Sequence, residues 1–148
     1  MRTIVLSLLV SLFLTGCEKP NPAAASENAA EEMQTAKPEV PEISVEAADK
    51  ALQSGAVAVD ANSEGTRRKN GTVPNAVILT SSYKYELSQL PEDKTKDLIF
   101  YCANTSCSAS DAAAERASTN GYKSVHVMRE GIKGWKDAGK ATAPYPSS

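Results

Sequence analysis

The sequence predicts an α/β fold: one domain at residues 43–140, with a parallel β-sheet of four to five short strands and helices on both faces. Short apolar runs alternate along this segment with stretches of helical periodicity. Apolar runs of this kind are typical of parallel strands, which are buried on both faces. A segment of about a hundred residues is also long enough for one compact core.

The first half of the domain contains two predicted strands separated by a charged loop. In chain order the segments are a helix at 45–53, a strand at 56–60, the loop at 67–71, a strand at 76–79 and a short helix at 83–90. Alanine and leucine recur at helical spacing in the first helix, and Gly55 is placed to end it. Pro91 is placed to end the second helix. The basic residues Arg67, Arg68 and Lys69 of the loop are expected to be solvated.

The second half contains two more predicted strands, each followed by a helix. In chain order the segments are a strand at 98–102, a helix at 108–119, a strand at 124–128 and a helix at 132–138. The first of these helices places small residues on one face, namely Ala109, Ala112, Ala113 and Ala117. Such a face allows close approach to a sheet. Trp135 is expected to anchor the last helix in the core.

Residues 1–16 have the features of a secretory signal peptide. A positive residue, Arg2, precedes the apolar run at 4–14. At 1.5 Å per residue this run spans about 16 Å, roughly half of the ~30 Å hydrocarbon core of a bilayer. That length is typical of a signal peptide and short for a membrane-spanning helix.

The end of this run, Leu14-Thr15-Gly16-Cys17, resembles the lipobox of bacterial lipoproteins. The resemblance implies that Cys17 is acylated, becomes the mature N-terminus and anchors the protein in the cell envelope, facing the periplasm. The alternative is an ordinary secretory signal with a chance cysteine. Glu18 stands where the inner-membrane retention signal of enteric bacteria has Asp, which favours the outer membrane.

Residues 17–42 are expected to form a disordered tether after the lipidated cysteine. From 18 to 42 the chain holds four of its eight prolines, six Glu and two Lys. With few large apolar side chains, this stretch cannot bury enough surface to offset its ordering entropy. Residues 43–148 carry 13 Lys and Arg against 12 Asp and Glu, a balance that does not predict nucleic-acid binding. Residues 141–148 are expected to be a C-terminal tail.

Cys102 is the predicted catalytic nucleophile. It ends the third strand and opens a loop of Ala103, Asn104, Thr105, Ser106, Cys107 and Ser108 that leads into a helix. Loop N–H groups and a helix N-terminus stabilise a thiolate in such a position. Ser108 to Asp111 fits a capping box, which would fix the start of that helix under the loop.

Four segments in order resemble the rhodanese (sulfurtransferase) family across residues 43–140. They are Val57-Ala-Val-Asp60 for the family's DVR strand, Gly71-Thr-Val-Pro-Asn-Ala76 for its GHIPGA turn, Ile99-Phe-Tyr-Cys102 for the strand that delivers the catalytic cysteine, and Glu130-Gly-Ile-Lys-Gly-Trp135 for its EGGIxxW segment. The resemblance implies a persulfide enzyme that needs no cofactor. Its cysteine, here Cys102, takes a sulfane sulfur from a persulfide, polysulfide or thiosulfate-type donor and passes it to a thiol or other nucleophilic acceptor.

The chain departs from the family's pattern at Asn62, where Arg is usual, and at Thr72, where His is usual. Its loop also lacks the Arg or Lys of members that use thiosulfate. We therefore expect a persulfide or polysulfide donor to be preferred to thiosulfate. Phosphatases of the same architecture use Cys-x5-Arg, and Ser108 stands at that arginine position. Phosphatase chemistry is not expected.

Cys107 leaves two interpretations open. If Cys17 is acylated, Cys102 and Cys107 are the remaining thiols of the three cysteines in an oxidising compartment. Cys107 is then either a resolving thiol that attacks a Cys102 persulfide or mixed disulfide, or a small buried residue at the helix start. The alternative functions are a thiol–disulfide oxidoreductase or redox sensor that uses both cysteines, and a non-catalytic binding module with the same fold.

Other polar residues are weaker candidates. Asp60 lies at the carboxyl end of a strand, where sites of open α/β sheets gather, and is expected to support the site or cap a turn. His126, the only histidine, lies inside a strand and is expected to be a packing or edge residue. No metal site is predicted. The expected partners are a small sulfur donor, a thiol acceptor, the membrane through the lipid, and a protein that accepts sulfur or exchanges electrons.

Overall fold

The computed structural model describes residues 39–146, which form a parallel sheet covered by helices. The strands are β1 (Val57–Asp60), β2 (Val77–Ile78), β3 (Asp97–Tyr101) and β4 (Ser124–Met128), in the spatial order β2-β1-β3-β4. The helices are α1 (Val45–Gln53), α2 (Glu64–Asn70), α3 (Ala109–Thr119) and α4 (Gly131–Asp137), with a 3₁₀ turn at Leu87–Gln89. The predicted α/β fold with a parallel sheet is confirmed.

Helices cover both faces of the sheet because the strands carry apolar side chains on both faces. On β3, Leu98 and Phe100 pack into one apolar cluster, with the alanine face of α3. The next residues along the strand, Ile99 and Tyr101, pack into the other cluster, with α1 and α4. Since successive side chains of a strand point to opposite faces, one buried strand supplies both cores.

The strand register brings the ends of β1 and β3 together at one edge of the sheet. Asp60 lies opposite Tyr101, and Tyr101 lies opposite Met128 on β4. Residues that follow these ends, Ala61 and Cys102, therefore begin at the same edge. This is the carboxyl edge, at which ligand sites of open parallel sheets are formed.

The prediction of a charged loop at 67–71 was wrong for residues 67–70, because these residues belong to α2. The Ser63 hydroxyl accepts from the Thr66 amide at the start of the helix, and Gly71 ends it with a φ of 75°. An acidic first turn and a basic last turn complement the helix dipole. Arg67 is buried with 5% of its surface exposed, against the expectation of a solvated side chain.

Two further local predictions were wrong. Residues 83–90 contain turns and the three-residue 3₁₀ helix instead of a short α-helix. Tyr85 in this segment buries its ring and donates its hydroxyl to the Ala113 carbonyl oxygen at 2.8 Å. The capping box is also absent among the described contacts, because Ser108 makes no side-chain cap bond and Arg129 holds the Asp111 carboxylate at 2.6 and 2.7 Å.

Ordered contacts extend beyond the predicted domain limits of 43 and 140. The Val127 amide donates to the Pro41 carbonyl oxygen at 3.0 Å. At the other end, Thr72 and Ala143 exchange two backbone hydrogen bonds of 2.9 Å. Within residues 39–146, no helix combines the length and the apolar character needed to cross a bilayer.

Candidate active site

Cys102 directly follows β3 at the carboxyl edge, with 1% of its surface exposed. Backbone amides at the start of α4 donate hydrogen bonds to the loop that carries Cys102. The Ile132 amide donates to the Cys102 carbonyl oxygen at 2.8 Å, and the Lys133 amide donates to the Ala103 carbonyl oxygen at 3.0 Å. The loop that carries the sulfur is thus fixed to a second element, α4, as well as to its own strand.

Gly131 permits this close approach. Its φ is 63°, and a Cβ there would lie 2.5 Å from the Cys102 carbonyl oxygen and 2.7 Å from the Ala103 carbonyl carbon. Any side chain would therefore push the loop backbone away from α4. The glycine in the Glu130 to Trp135 segment has a steric reason to be there.

We predict that Gly131→Ala displaces the loop. Gly139→Ala is a matched control, because Gly139 also has a positive φ, 72°, but nothing lies within 4 Å of its added Cβ. Gly131→Ala should cost about 1–3 kcal/mol more than the control, as for overpacked interiors. Denaturant unfolding of both variants measures the difference, and the alkylation rate of reduced Cys102 should change only in Gly131→Ala. Equal unfolding midpoints would contradict the role given to Gly131.

The sulfur of Cys102 is bonded to that of Cys107 in a disulfide, with the two Cα atoms 6.3 Å apart. This separation lies in the range that lets two cysteines bond without backbone movement. The sequence alone does not give this separation. In this disulfide Cys107 is partly exposed and Cys102 is buried, so Cys107 shields Cys102 from solvent.

Two groups lie within hydrogen-bonding distance of the Cys102 sulfur and act on it in opposite ways. The Ser110 hydroxyl donates to Sγ at 3.3 Å, which favours a thiolate after reduction. The Cys107 carbonyl oxygen lies 3.1 Å from Sγ and disfavours one. The sequence predicted loop amides and the helix N-terminus as the stabilising groups. Among residues 39–146, the side chain that donates to this sulfur is Ser110, in the first turn of α3.

Asp60 is the centre of a buried network beside the site. It is fully buried, and its carboxylate accepts from Arg67 Nε at 3.0 Å, the Asn62 amide at 2.8 Å and the Tyr101 hydroxyl at 2.6 Å. Burial, followed by the negative charge of Asp60, raises the pKa of Tyr101 far above its usual range, so the phenol remains a donor. The Tyr101 oxygen also accepts from the Val73 amide at 3.0 Å.

Arg67 completes this network, because its guanidinium donates to backbone carbonyl oxygens as well as to the Asp60 carboxylate. Its Nη2 donates to the carbonyl oxygens of Leu79, at 2.9 Å, and of Asp60, at 3.2 Å. The guanidinium thereby ties α2 to the ends of β1 and β2. Asp60 thus supports the edge of the sheet through Arg67 and through Tyr101, the residue before Cys102.

A cavity of about 420 Å³ opens beside the loop on the side of β1 and β2. Its lining carries no charged side chain and consists of Ala61, Asn62, Ser63, Thr66, Thr80, Ser81, Ser82, Ala103, Cys107 and Ala109. Asn62 is buried, and its Nδ2 has no hydrogen-bond partner among the described residues. Lys133 pairs with Asp137 at 2.5 Å and lines a different cavity.

The other predicted site residues are distributed around the loop. Asn104, Thr105, Ser106 and Ser108 are exposed, and Ala103 and Cys107 face the uncharged cavity. The Asn104 side chain accepts from the Ser106 amide at 3.0 Å, which shapes the turn. His126 lies half-buried on the edge strand β4, and no cluster among residues 39–146 could hold a metal ion. Cys17 lies outside the described residues.

Sequence reasoning missed Arg67 and Ser110 as residues of this region. A signal for Arg67 existed in the sequence, because Ser63 is a suitable residue to begin a helix. That helix would have carried Arg67, which lies seven residues after its partner Asp60. Ser110 was considered only as part of a capping box. Its contact with the sulfur depends on the distance between the loop and the first turn of α3, which spacing alone does not give.

Comparisons with known proteins agree with this fold. A sequence model described as rhodanese-like domain matches residues 44–138. A rhodanese-related protein from Thermoplasma volcanium is similar in structure, with a TM-score of 0.59 and 20% identity over 71% of this chain and 99% of its own. The polysulfide-sulfur transferase homodimer from Wolinella succinogenes has a TM-score of 0.57 and 18% identity over 81% and 90%.

A third similar structure has a different description. It is a protein from Rhodopseudomonas palustris called a possible tyrosine phosphatase, with a TM-score of 0.56 and 20% identity over 86% of this chain and 98% of its own. No curated protein matches the sequence. The family match, in contrast, spans well over half of the 148 residues, and the chain therefore belongs to the rhodanese-like domain family.

Proposed function

We propose that this protein is a sulfurtransferase that carries sulfane sulfur as a persulfide on Cys102. The observation that carries the proposal is the position of this cysteine at the carboxyl edge, on a loop held by Gly131 and the first amides of α4. The Ser110 hydroxyl beside its sulfur supports the thiolate that must attack. Rhodanese-like domains in general act on sulfur donors and thiol acceptors, and this chain belongs to them.

The reaction consists of two displacements at the same sulfur atom. In the first, the Cys102 thiolate attacks the outer sulfur of a donor persulfide R–S–SH, and R–S⁻ leaves. In the second, an acceptor thiolate attacks the outer sulfur of the Cys102 persulfide, and the Cys102 thiolate leaves. The sulfane sulfur moves from donor to acceptor without net oxidation. Ser110 stabilises Cys102 as the attacking group in one step and as the leaving group in the other.

The charge of the cavity supports a persulfide or polysulfide donor. Its lining carries hydroxyl and amide groups and no cation, and Lys133 is engaged with Asp137 elsewhere. A dianion such as thiosulfate would be desolvated there without a counter-charge. The similar structure from Wolinella succinogenes is named a polysulfide-sulfur transferase, which fits this choice. The loop also has Ser108, not Arg, where a phosphatase clamps phosphate, so sulfur transfer is favoured over phosphatase chemistry.

We predict that a cation in this cavity changes donor preference. Cys107→Arg should raise kcat/KM for thiosulfate by about tenfold over Cys107→Ser, through one charge-assisted contact. Both variants lack the Cys107 thiol, so their comparison isolates the charge. Steady-state rates with thiosulfate and with glutathione persulfide measure the effect. A Cys107→Ser chain that already prefers thiosulfate would contradict this account of the cavity.

The proposed function is tested by turnover with a defined donor and acceptor. The full chain carrying Cys17→Ser is held in detergent, so that Cys102 and Cys107 are its only thiols. It is reduced, freed of reductant and given glutathione persulfide with cyanide as acceptor, and thiocyanate is measured. Turnover should survive Cys107→Ser and disappear in Cys102→Ser. A Cys107→Ser chain with no turnover for any donor would be a binding module instead.

The disulfide favours a second candidate function. Since Cys102 and Cys107 are already bonded, the pair is also suited to thiol–disulfide exchange or redox sensing. That function requires both cysteines, whereas sulfur transfer requires Cys102 alone. Turnover lost equally in Cys102→Ser and Cys107→Ser would favour the redox candidate.

We also propose that the domain is anchored in the cell envelope through acylated Cys17, facing the periplasm, with the outer membrane favoured. Two or three acyl chains hold a protein on a bilayer, at about 0.8 kcal/mol per buried CH₂, where one chain does so only marginally. Cys17→Ser should therefore abolish labelling by radioactive palmitate and leave the leader uncleaved, without altering the fold. Palmitate incorporation equal to that of the native chain would rule this anchor out.

A further inference from the structure

We infer that Cys107 gives this protein a second activity: it reduces the sulfane sulfur carried by Cys102 and releases it as hydrogen sulfide. The inference rests on the proposed function, because it begins from the Cys102 persulfide. It adds a product, sulfide, and a requirement for a dithiol reductant that simple sulfur transfer does not have.

The bond that the step must form is the one present in the structure. The Cys102 and Cys107 sulfurs are joined, at a Cα separation of 6.3 Å and five residues apart. The Cys107 thiol can therefore reach the inner sulfur of a persulfide on Cys102 without rearrangement of the sheet or of α3. The inner sulfur is the Sγ atom of Cys102 itself.

The step balances without an external oxidant. The Cys107 thiolate attacks Sγ of the Cys102 persulfide, the bond to the outer sulfur breaks, and HS⁻ leaves. The two cysteine thiols lose two electrons as they form the disulfide, and the sulfane sulfur gains these two electrons and becomes sulfide. Attack on the outer sulfur would instead move the persulfide to Cys107, without forming the disulfide.

The product disulfide blocks the next turnover. Cys107 then covers Cys102, which has 1% of its surface exposed and no free thiol. A donor cannot load this form. The protein must be reduced before each new cycle, by a small dithiol or by a protein with two neighbouring thiols.

The geometry also assigns the sulfur at which reduction begins. Cys107 is partly exposed and lines the uncharged cavity, whereas Cys102 is buried behind it. A reductant thiolate approaching through the cavity attacks Sγ of Cys107, and Cys102 leaves as the thiolate. The Ser110 hydroxyl, 3.3 Å from Sγ, stabilises that leaving group. The second thiol of the reductant then attacks the mixed disulfide and frees Cys107.

The test is a single turnover of the full chain with Cys17→Ser, reduced and freed of reductant, given one equivalent of glutathione persulfide. Sulfide and intact mass are measured together. The parent chain should release about one sulfide and lose about 2 Da as its disulfide forms. Its matched variant Cys107→Ser should keep a gain of about 32 Da and release at least about tenfold less sulfide. Cys102→Ser should do neither, and dithiothreitol should restore loading in the oxidised parent.

The outcomes separate the two proposals. If Cys107→Ser gains the sulfur mass and the parent keeps it equally long without sulfide release, the second activity is overturned and sulfur transfer through Cys102 stands. If neither chain gains the mass and no sulfide appears, the persulfide on Cys102 is itself wrong. Sulfide released by the parent while Cys107→Ser fails to load would move the first attack to Cys107, and would overturn both.

Discussion

Cys102→Ser will abolish sulfur transfer and leave the fold unchanged. A hydroxyl in place of the thiol keeps the volume of the side chain nearly constant but cannot form a persulfide. Relative to Cys107→Ser, we expect the rate of thiocyanate formation to fall by at least about 1,000-fold, as for loss of a covalent nucleophile. Far-ultraviolet circular dichroism and the unfolding midpoint should stay close to those of the reduced parent chain.

Cys107→Ser is the matched control for this result. It makes the same substitution five residues away in the same loop, and it also removes the disulfide. If turnover depends on Cys102 as nucleophile, this variant keeps it. A Cys102→Ser chain that retains turnover, or a loss that is equal in both variants, would contradict the assignment.

Asp60→Asn should cause the largest loss of stability. The substitution removes the negative charge that faces Arg67, while both residues stay buried, at 0% and 5% exposure. An unpaired buried guanidinium then remains, and breaking a buried ion pair in this way costs about 3–5 kcal/mol. Denaturant unfolding of the two chains in the same redox state measures the difference.

Glu64→Gln provides the matched comparison for Asp60→Asn. It makes the same carboxylate-to-amide change opposite an arginine, since Glu64 pairs with Arg68 at 2.6 Å on the exposed side of α2. Water screens this pair, so little change in the unfolding midpoint is expected. Similar losses of unfolding free energy in the two variants would show that the buried network does not contribute the proposed stability to the fold.

The strands could be predicted from the sequence, and the buried network could not. The central strands β1 and β3 are mainly apolar runs buried on both faces, which leaves a strong signal; the predicted 56–60 and 98–102 lie close to them. α2 has no apolar side chain among its seven residues, so hydrophobic periodicity did not detect it. Without that helix, Arg67 could not be recognised as the partner of Asp60.

The candidate site shows the same division. The position of Cys102 after a strand and of Cys107 in its loop followed from the order of residues. Which groups touch the sulfur did not follow, because Ser110 and Gly131 reach the loop from α3 and α4 through tertiary packing. The absence of charge was predicted for the loop itself, but the cavity is also lined by Ser63 and Thr66 at the start of α2 and by Thr80 after β2.

The most direct test of the account is the location of the bound sulfur. The reduced full chain with Cys17→Ser and Cys107→Ser is exposed to glutathione persulfide, then alkylated, digested and analysed by mass spectrometry. We predict a gain of about 32 Da, one sulfur atom, in the peptide that contains Cys102. The alkyl group should be on the outer sulfur of that peptide. A chain that forms thiocyanate when cyanide is supplied as acceptor, but carries no added sulfur on Cys102 without it, would contradict the central claim.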